Sequence, residues 1–254
     1  MVTFAYITDG KNDYLLSKAI VGLRNLQLAK IEILIIGDTN ISFDGVKIVP
    51  FDESFKDAWI TRKKNLIAQF ASFETLVIMH DYVTLNTGWD DKFIDFLSKQ
   101  SFDAAICRVM NLDGSRFRDW TLWPFDHRLL RRYFSKTKKC ILPYSELNFS
   151  SLQYISGSVF ICKRSFLRDN PLNEQKTWGQ GEDVDWAIMV RERWNLSLFN
   201  QASFKLLKQK DPIFLEIDIA SIMFLRIYLL IFRCLPVRLQ HVLTSKLSLR
   251  EIFS

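Results

Sequence analysis

The chain has 254 residues, of which 48% are apolar and 14% aromatic, and its formal net charge is +6. This length and apolar content suit one large α/β domain or two small ones, and they exclude an intrinsically disordered chain. The four cysteines are widely spaced without a C-x-x-C pair, which indicates neither a zinc site nor a disulfide framework.

The first eighty residues alternate short apolar runs with amphipathic stretches. Residues 3–8, 31–36 and 75–79 are predicted to be buried strands, and residues 60–70 have helical spacing. Another helix is predicted after the first strand, with its apolar face formed by Leu15, Leu16, Ala19, Ile20 and Leu23. Strands that alternate with helices predict a mostly parallel sheet covered on both faces.

Polar residues follow each of these strands. Thr8 and Asp9 end the first strand, Asp38 follows the second, and His80 and Asp81 follow the third. In open α/β sheets, ligands bind at the carboxyl ends of the strands, so these side chains are candidates for nucleotide binding. An aspartate that closes a strand is also a common turn residue, and this alternative stays open for Asp9 and Asp38.

The middle of the chain concentrates positive charge and aromatic residues. After a predicted strand at residues 103–109, residues 116–139 contain eight Lys/Arg against two Asp. This local excess favours an anionic partner such as phosphate, a membrane surface or nucleic acid. An apolar segment at residues 154–162 follows, and a helix is predicted over residues 178–194.

The C-terminal part contains the longest apolar segment of the chain. Residues 219–235 are apolar apart from Arg226 and Arg233, which lie seven residues apart on one helical face. Two arginines near the bilayer centre would cost about 5 to 7 kcal/mol, which disfavours a transmembrane span. We therefore expect residues 212–254 to form an amphipathic, membrane-associating tail behind a domain of residues 1–211. A helix packed on the core is the alternative.

The N-terminal stretch bears on the cellular location. Met1 leads directly into an apolar strand, without a basic leader or a small-residue cleavage site. The expectation is a cytoplasmic protein, held peripherally at the inner face of the membrane by its tail.

One segment combines glycines, carboxylates and tryptophans in the order Trp178-Gly179-Gln180-Gly181-Glu182-Asp183-Val184-Asp185-Trp186. Glycines allow a tight turn against a ligand, and a helix N-terminus favours anionic groups. An acidic first turn is often purely structural. The flanking tryptophans favour a sugar site, because a sugar ring packs on an aromatic face beside carboxylates that accept its hydroxyl protons.

This segment resembles the Trp-Gly-x-Gly-Glu-Asp-x-Asp motif of β-1,4-galactosyltransferase-like enzymes and, more broadly, the Glu-Asp motif of inverting GT-A glycosyltransferases, including family 2. Upstream, residues 61–65 and the turn at residues 80–82 are similar to their basic nucleotide-contacting helix and their Asp-x-Asp turn. Ser156-Gly157-Ser158 is similar to their small-residue strand. The resemblance implies a GT-A fold, which is a Rossmann-like, mostly parallel sheet flanked by helices.

The resemblance also implies an activity and its residues. The chain would transfer a hexose or N-acetylhexosamine from a nucleotide-sugar, expected to be a UDP-sugar, to a hydroxyl of a glycan or lipid-linked glycan during polysaccharide biosynthesis. Asp183 would be the general base, and Glu182 would orient the acceptor. The residues expected at the donor are Thr8, Asp9, Asp38, Arg62, Lys64, Asn65 and Asp81. Those expected at the acceptor are Gly157, Ser158, Trp178, Gly181, Asp185, Trp186, Trp120 and Trp123.

The expected metal turn departs from the family pattern. His80-Asp81-Tyr82 stands where the family has Asp-x-Asp, so Asp81 is the only carboxylate of the turn. Asp81 and His80 are the predicted ligands of Mn²⁺ or Mg²⁺, since one carboxylate with diphosphate oxygens and water suffices. A simple strand-end turn is the alternative. Residues 116–139 would form a lid over the donor or acceptor, or else a solvated basic face.

Three other functions compete with this interpretation. Basic residues interleaved with aromatics are also typical of a nucleic-acid-binding module, although no nucleic-acid fingerprint is present. A nucleotidyltransferase of the same fold type would need a glycine-rich loop after the first strand, where the sequence has only Gly10. A glycosidase is disfavoured because the adjacent Glu182 and Asp183 cannot flank a glycosidic bond.

Overall fold

The computed structural model describes residues 1–146, 149–211 and 214–244. Its strands are β1 (Val2–Thr8), β2 (Ile31–Gly37), β3 (Val46–Val49), β4 (Thr75–His80), β5 (Val83–Leu85), β6 (Ala104–Met110), β7 (Thr121–Leu122), β8 (Lys139–Ile141), β9 (Gln153–Tyr154), β10 (Val159–Lys163), β11 (Leu196–Leu206) and β12 (Leu215–Glu216). Its helices are α1 (Asp13–Arg24), α2 (Ile60–Phe70), α3 (Trp89–Lys99), α4 (Arg128–Thr137), α5 (Arg164–Asp169), α6 (Glu182–Val190), α7 (Ile219–Cys234) and α8 (Val237–Leu243).

A large mixed sheet has the strand order β3-β2-β1-β4-β10-β6-β11-β5. Strands β3, β2, β1 and β4 are parallel, as are β6 and β11, while β10 runs antiparallel between β4 and β6. The apolar runs of β1, β2 and β4 are buried along almost their whole length, because strands of a sheet covered on both faces have no side chains that point to solvent. Because β10 reverses direction, β1, β4, β6 and β11 all end at the same edge of the sheet.

Helices cover both faces of this sheet. On one face, α1 and α3 bury apolar side chains such as Ile20, Leu23 and Phe93. On the other face, α2, α5 and α6 contribute Ile67, Leu167 and Trp186 to a second cluster. The expected α/β fold is thus confirmed.

The basic segment, residues 116–139, contributes to the body of the protein. It contains β7, which forms a smaller sheet of order β12-β8-β7-β9, and helix α4. Its apolar aromatics are buried in the protein; they are Phe117, Trp120, Trp123, Phe125 and Phe134. Arg128, Arg132 and Lys136 of α4 are exposed. The segment therefore presents charge to solvent and aromatic rings to the core.

The C-terminal helix α7 packs against α4. Tyr133 contacts the Ser221 hydroxyl at 2.8 Å and the Phe224 ring at 4.8 Å between centroids. His127, which precedes α4, contacts the hydroxyl of Tyr228 near the other end of α7, so the two helices run antiparallel. The inner face of α7 packs into the same apolar cluster as Ile67, Leu167 and Trp186, while its outer face exposes apolar side chains. Within the described residues, no helix has both the length and the hydropathy that crossing a bilayer requires.

The helix predicted at residues 178–194 is shorter than expected. Gly179 and Gly181 have positive φ angles of 79° and 70°, which the right-handed helix does not allow. Helix α6 therefore begins at Glu182 and ends at Val190, before the turn that precedes Trp194. This later start places Glu182 and Asp183 at the first two positions of the helix.

Candidate active site

A cleft of about 280 Å³ lies at the edge where β1 and β4 end. It is lined by Ile7, Thr8, Asp9, Lys11, Asn12, Glu53, Asp57, Ala58, Ile60, Lys63, His80, Asp81, Tyr82, Trp178, Lys208 and Lys210. The lining combines apolar and aromatic side chains, such as Ile7 and Trp178, with side chains of both charges, which suits the binding of a small polar molecule. The sheet thus brings Thr8, Asp9 and Asp81 together, although they are far apart in the sequence.

Asp81 is held at the floor of the cleft by two donors. The Thr8 hydroxyl donates to one carboxylate oxygen at 2.9 Å, and the Asn12 amide donates to both at 3.1 and 3.2 Å. Burial raises the pKa of Asp81, and these hydrogen bonds lower it in part. Asn12 was not predicted from the sequence, because its position beyond the first turn gave no signal.

A second cluster of ionisable groups surrounds Gly157. The backbone N–H of Gly157 donates to Asp183 Oδ2 at 2.8 Å, and the N–H of Val184 donates to Oδ1 at 2.9 Å. A Cβ atom added at Gly157 would lie 2.9 Å from Lys64 Nζ, 3.2 Å from Glu182 Oε1 and 3.3 Å from Asp183 Oδ2. The absence of a side chain at Gly157 therefore leaves room for three charged groups around one backbone position.

Lys64 and Glu182 are both buried in this cluster. The Lys64 ammonium is fully buried and has no hydrogen-bond partner among the described residues. Burial lowers the pKa of Lys64, while Glu182 and Asp183 raise it. Burial also raises the pKa of Glu182, Asp183 raises it further, and Lys64 acts in the opposite direction. The lysine thus offsets the repulsion between two adjacent carboxylates at the end of a helix.

The cleft and this cluster are neighbours. Lys63 lines the cleft and donates to the Thr8 carbonyl, whereas Lys64, the next residue of α2, lies among the carboxylates. The backbone N–H of His80 in the cleft donates to the Ser158 carbonyl at 3.1 Å, beside Gly157. A ligand in the cleft can therefore extend toward Asp183.

Four of the seven expected donor residues are absent from the cleft lining: Lys64, which lies in the cluster around Gly157, and Arg62, Asn65 and Asp38. Arg62 forms an ion pair with Glu174 at 3.0 Å, and the Asn65 amide donates to Glu174 at 2.9 Å and to the Leu172 carbonyl at 3.0 Å. These two side chains tie α2 to the loop that precedes the tryptophan-glycine segment. Asp38 is exposed beyond β2 and is not part of the cleft lining.

Of the tryptophans expected at the acceptor, one lines the cleft and three are buried in the protein. Trp178 lines the cleft and is 62% exposed, which suits contact with a ligand. Trp186 is buried, and its indole N–H donates to the Asn170 carbonyl at 2.6 Å. Trp120 and Trp123 are buried as well, and Asp185 is paired with Lys176. Ser158 is buried against Ser156, with 3.1 Å between their hydroxyl oxygens.

Lys208 and Lys210 line the cleft although the sequence did not single them out. They follow β11, a strand that was not predicted from the sequence. The available signal is that two lysines alternate with other residues directly after a strand, where the ends of strands carry ligand-binding groups.

The groups around Asp81 fit a resident divalent cation poorly. Both Asp81 oxygens already accept hydrogen bonds, and Asp9, the other nearby carboxylate, is paired with Lys11 at 2.8 Å. Burial and the positive charge of nearby lysines, Lys64 first among them, hold the pKa of His80 well below its ordinary value, and the same positive charge opposes a bound cation. Within the described residues, no cluster of three or more His, Cys, Asp or Glu side chains could hold a metal ion.

Comparisons with known proteins locate the fold. No protein-family model matches the chain, and no curated protein matches it significantly in sequence. The solved structure of S. aureus TarS residues 1–349 matches with a TM-score of 0.54 at 11% identity, over 81% of this chain and 60% of that one. The same TarS fragment in complex with UDP-GlcNAc matches with a TM-score of 0.56 at 11% identity, over 83% and 60%.

GalNAc-T7 with UDP, GalNAc and Mn²⁺ matches with a TM-score of 0.59 at 12% identity, over 83% of this chain and 44% of that one. The chain therefore spans less than two thirds of the length of these solved structures. At such low identity the similarity concerns the architecture of the sheet and its helices. On that evidence, the chain has the GT-A fold.

Proposed function

We propose that the chain is an inverting glycosyltransferase that moves a hexose or N-acetylhexosamine from a nucleotide-sugar, in the first instance a UDP-sugar, to a hydroxyl group. The single observation that carries this proposal is the Glu182–Asp183 pair, which borders Gly157 beside the cleft at the strand ends. This arrangement supports the proposal, because an inverting transferase needs a base close to its donor site. The names of the similar structures, which include UDP and UDP-GlcNAc, support this donor class.

The proposed reaction is a single displacement. The acceptor oxygen attacks the anomeric carbon while the bond from this carbon to the diphosphate oxygen breaks. The bonding electron pair leaves with the diphosphate, and Asp183 takes the acceptor proton. Attack opposite the leaving group inverts the anomeric configuration. Asp183 suits this role because two backbone N–H groups fix its orientation.

Glu182 and Trp178 are proposed to position the acceptor. Burial and Asp183 raise the pKa of Glu182 while Lys64 opposes them, and the charged carboxylate can accept hydrogen bonds from acceptor hydroxyls. Trp178 presents an exposed ring at the cleft, and an aromatic face suits the apolar face of a sugar. Together they would hold an acceptor hydroxyl close to Asp183.

The acceptor is proposed to be a glycan or lipid-linked glycan at a membrane, as in polysaccharide biosynthesis. The support is the outer face of α7, which exposes Met223, Ile227 and Leu230 beside the basic helix α4. An apolar stripe next to basic side chains is typical of a helix that lies in the headgroup region of an anionic membrane. The associated location, peripheral at the cytoplasmic face, remains part of this proposal.

A thermal-shift panel tests the donor class. The nucleoside diphosphates UDP, GDP, ADP and CDP are each added to the full chain, and adenosine serves as the control. A ligand at one hundred times its dissociation constant stabilises the folded state by about 2.7 kcal/mol, so the correct nucleotide gives a clear rise in melting temperature. A folded protein that responds to none of the four would contradict the proposal.

A further inference from the structure

Lys208 and Lys210 differ from the other lysines of the cleft. Lys11 is paired with Asp9, and Lys63 is paired with Glu53. Lys208 and Lys210 have no carboxylate within salt-bridge distance in the described part of the chain. Their ammonium groups instead lie over the Tyr82 ring, at 4.0 and 4.8 Å from its centroid. Among the described residues, the cleft therefore contains two half-buried cations without a carboxylate at ion-pair distance, packed on the residue that follows Asp81.

The backbone that carries these lysines is fixed at both ends. The N–H of Leu207 donates to the Tyr82 carbonyl at 2.7 Å. The N–H of Lys210 donates to the Asn111 side chain at 3.1 Å, and the Asn111 amide donates to the Lys210 carbonyl at 3.0 Å. Because these contacts hold the backbone in place, the two ammonium groups do not need a large rearrangement to meet a ligand.

The positive charges around Lys208 and Lys210 favour a bound anion. Burial lowers the pKa of Lys210, the positive charges of Lys208 and Arg118 lower it further, and the negative charge of Asp81 acts in the opposite direction. An anion bound between the two ammonium groups would relieve this repulsion. Two adjacent ammonium groups after a strand end match the charge of a diphosphate.

We propose that Lys208 and Lys210 bind the diphosphate of the donor and neutralise the charge that develops on it, so that they take the place of a divalent metal. When the bond from the anomeric carbon to the diphosphate oxygen breaks, the electron pair remains on that oxygen, beside the two ammonium groups. This inference rests on the proposed function. It follows from the poor donor set around Asp81 and from the unpaired lysines next to it.

Calorimetric titration of the full chain with UDP and with UMP tests this proposal, in buffer with EDTA and in buffer with Mn²⁺. We expect the UDP dissociation constant to agree within about twofold in the two buffers. Lys208→Met and Lys210→Met should each weaken UDP binding roughly tenfold, since each removes one charge-assisted contact. The loss for UMP should be smaller, because UMP lacks the second phosphate.

Two further variants separate charge from structure. Lys18 lies over the Tyr14 ring at 4.3 Å on α1, outside the cleft, so Lys18→Met is the matched control and should bind UDP like the original chain. Lys210→Arg keeps the charge and should retain most of the UDP affinity. If Lys210→Met fails to fold, Lys208→Met and the comparison of the two buffers still decide the question.

The outcomes separate this inference from the proposed function. UDP binding that requires Mn²⁺, or methionine variants that bind UDP like the original chain, would overturn the role of the lysines and leave glycosyl transfer intact. A folded chain that binds neither UDP nor any other nucleoside diphosphate in either buffer would overturn the proposed function, and the inference would fall with it.

Discussion

At the scale of single residues, the cluster around Gly157 is the most unusual feature. Two adjacent carboxylates and a fully buried lysine surround a glycine whose N–H holds one of the carboxylates. A buried ammonium without a hydrogen-bond partner is costly, so it persists only where its charge serves another group. Here Lys64 favours the charged form of Glu182, whose pKa burial and Asp183 both raise.

The first prediction concerns Asp183. Asp183→Asn should lower turnover by roughly two to four orders of magnitude, the usual contribution of a positioned base. Its oxygen can still accept one of the two backbone hydrogen bonds, so we expect the chain to fold and to bind UDP within about threefold of its original affinity. UDP release is the measured quantity. The matched control is Asp91→Asn, which changes an exposed aspartate in the first turn of α3. Equal turnover in both variants would remove Asp183 from the mechanism.

The second prediction concerns Lys64. Lys64→Met removes the positive charge that opposes the raised pKa of Glu182, so that pKa should rise further. The acid limb of the pH profile of turnover should consequently move to higher pH. The charged groups that act on Glu182 besides Lys64 are Asp183 and Lys176, and both remain in the variant. Lys92→Met on the exposed surface of α3 is the control. An unchanged acid limb would mean that Lys64 does not tune the site.

At the scale of elements, the pair of helices α4 and α7 decides how the C-terminal part behaves. Ile222, Leu225 and Leu229 on the inner face of α7 are buried in the apolar cluster beneath α2, α5 and α6. The helix therefore contributes to the body of the protein, and it also exposes a second apolar face outward. The sequence posed these two roles as alternatives, whereas a helix that is apolar on most of its circumference can serve both.

The third prediction concerns the pH dependence of this helix pair. His127 is buried against Tyr228, and burial and Arg191 lower its pKa, while Asp126 opposes them. Because the folded state binds this proton less readily than the unfolded chain, stability is complete above a pH of about 6.5 and falls as the pH drops from there toward the folded pKa. His127→Gln removes the titrating group. Urea unfolding at pH 7.5, 6.5 and 5.5 should show a weaker loss of stability on acidification in the variant, and parallel losses would contradict this role.

The fourth prediction concerns the outer face of α7. Met223, Ile227 and Leu230 are exposed, so replacing all three with glutamate should leave the melting temperature nearly unchanged. Each apolar side chain contributes about 1.5 to 3 kcal/mol when it is removed from water, so sedimentation with vesicles of phosphatidylglycerol and phosphatidylethanolamine should drop at least tenfold. Ile94→Glu, at an exposed position of α3, is the control. Equal sedimentation of the triple variant would exclude this face as the membrane contact.

The sequence predicts elements well where one pattern dominates. Helix α2 has the predicted bounds, and β1, β2, β4 and β6 differ from their predictions by one or two residues. The hydrophobic pattern does not predict the start of a helix where backbone angles determine it, as at Gly179 and Gly181. It also does not predict strands that are too short to show alternation. Strand β11, which is half-buried and has a register shift between Phe199 and Ser203, gave no periodic signal, and the lysines that follow it were missed with it.

At the scale of the whole molecule, the sheet determines which parts of the sequence meet. Reversal of β10 between β4 and β6 brings the ends of β1, β4, β6 and β11 to one edge, and the cleft forms there. Local motifs identified Asp9, Asp81 and the Glu182–Asp183 pair. These motifs did not predict that Arg62 and Asn65 contact Glu174 instead of lining the cleft, because this contact depends on packing between segments that are distant in the sequence.

The cleft and the Glu182–Asp183 pair are proposed to form one donor and transfer site. A crystal structure of the chain with an unreactive phosphonate analogue of a UDP-sugar tests this proposal. We expect the nucleotide in the cleft beside Asp9, the phosphorus groups against Lys208 and Lys210, and the anomeric carbon facing Asp183 with space for one acceptor hydroxyl between them. A nucleotide bound outside the cleft, or a sugar directed away from Asp183, would contradict it.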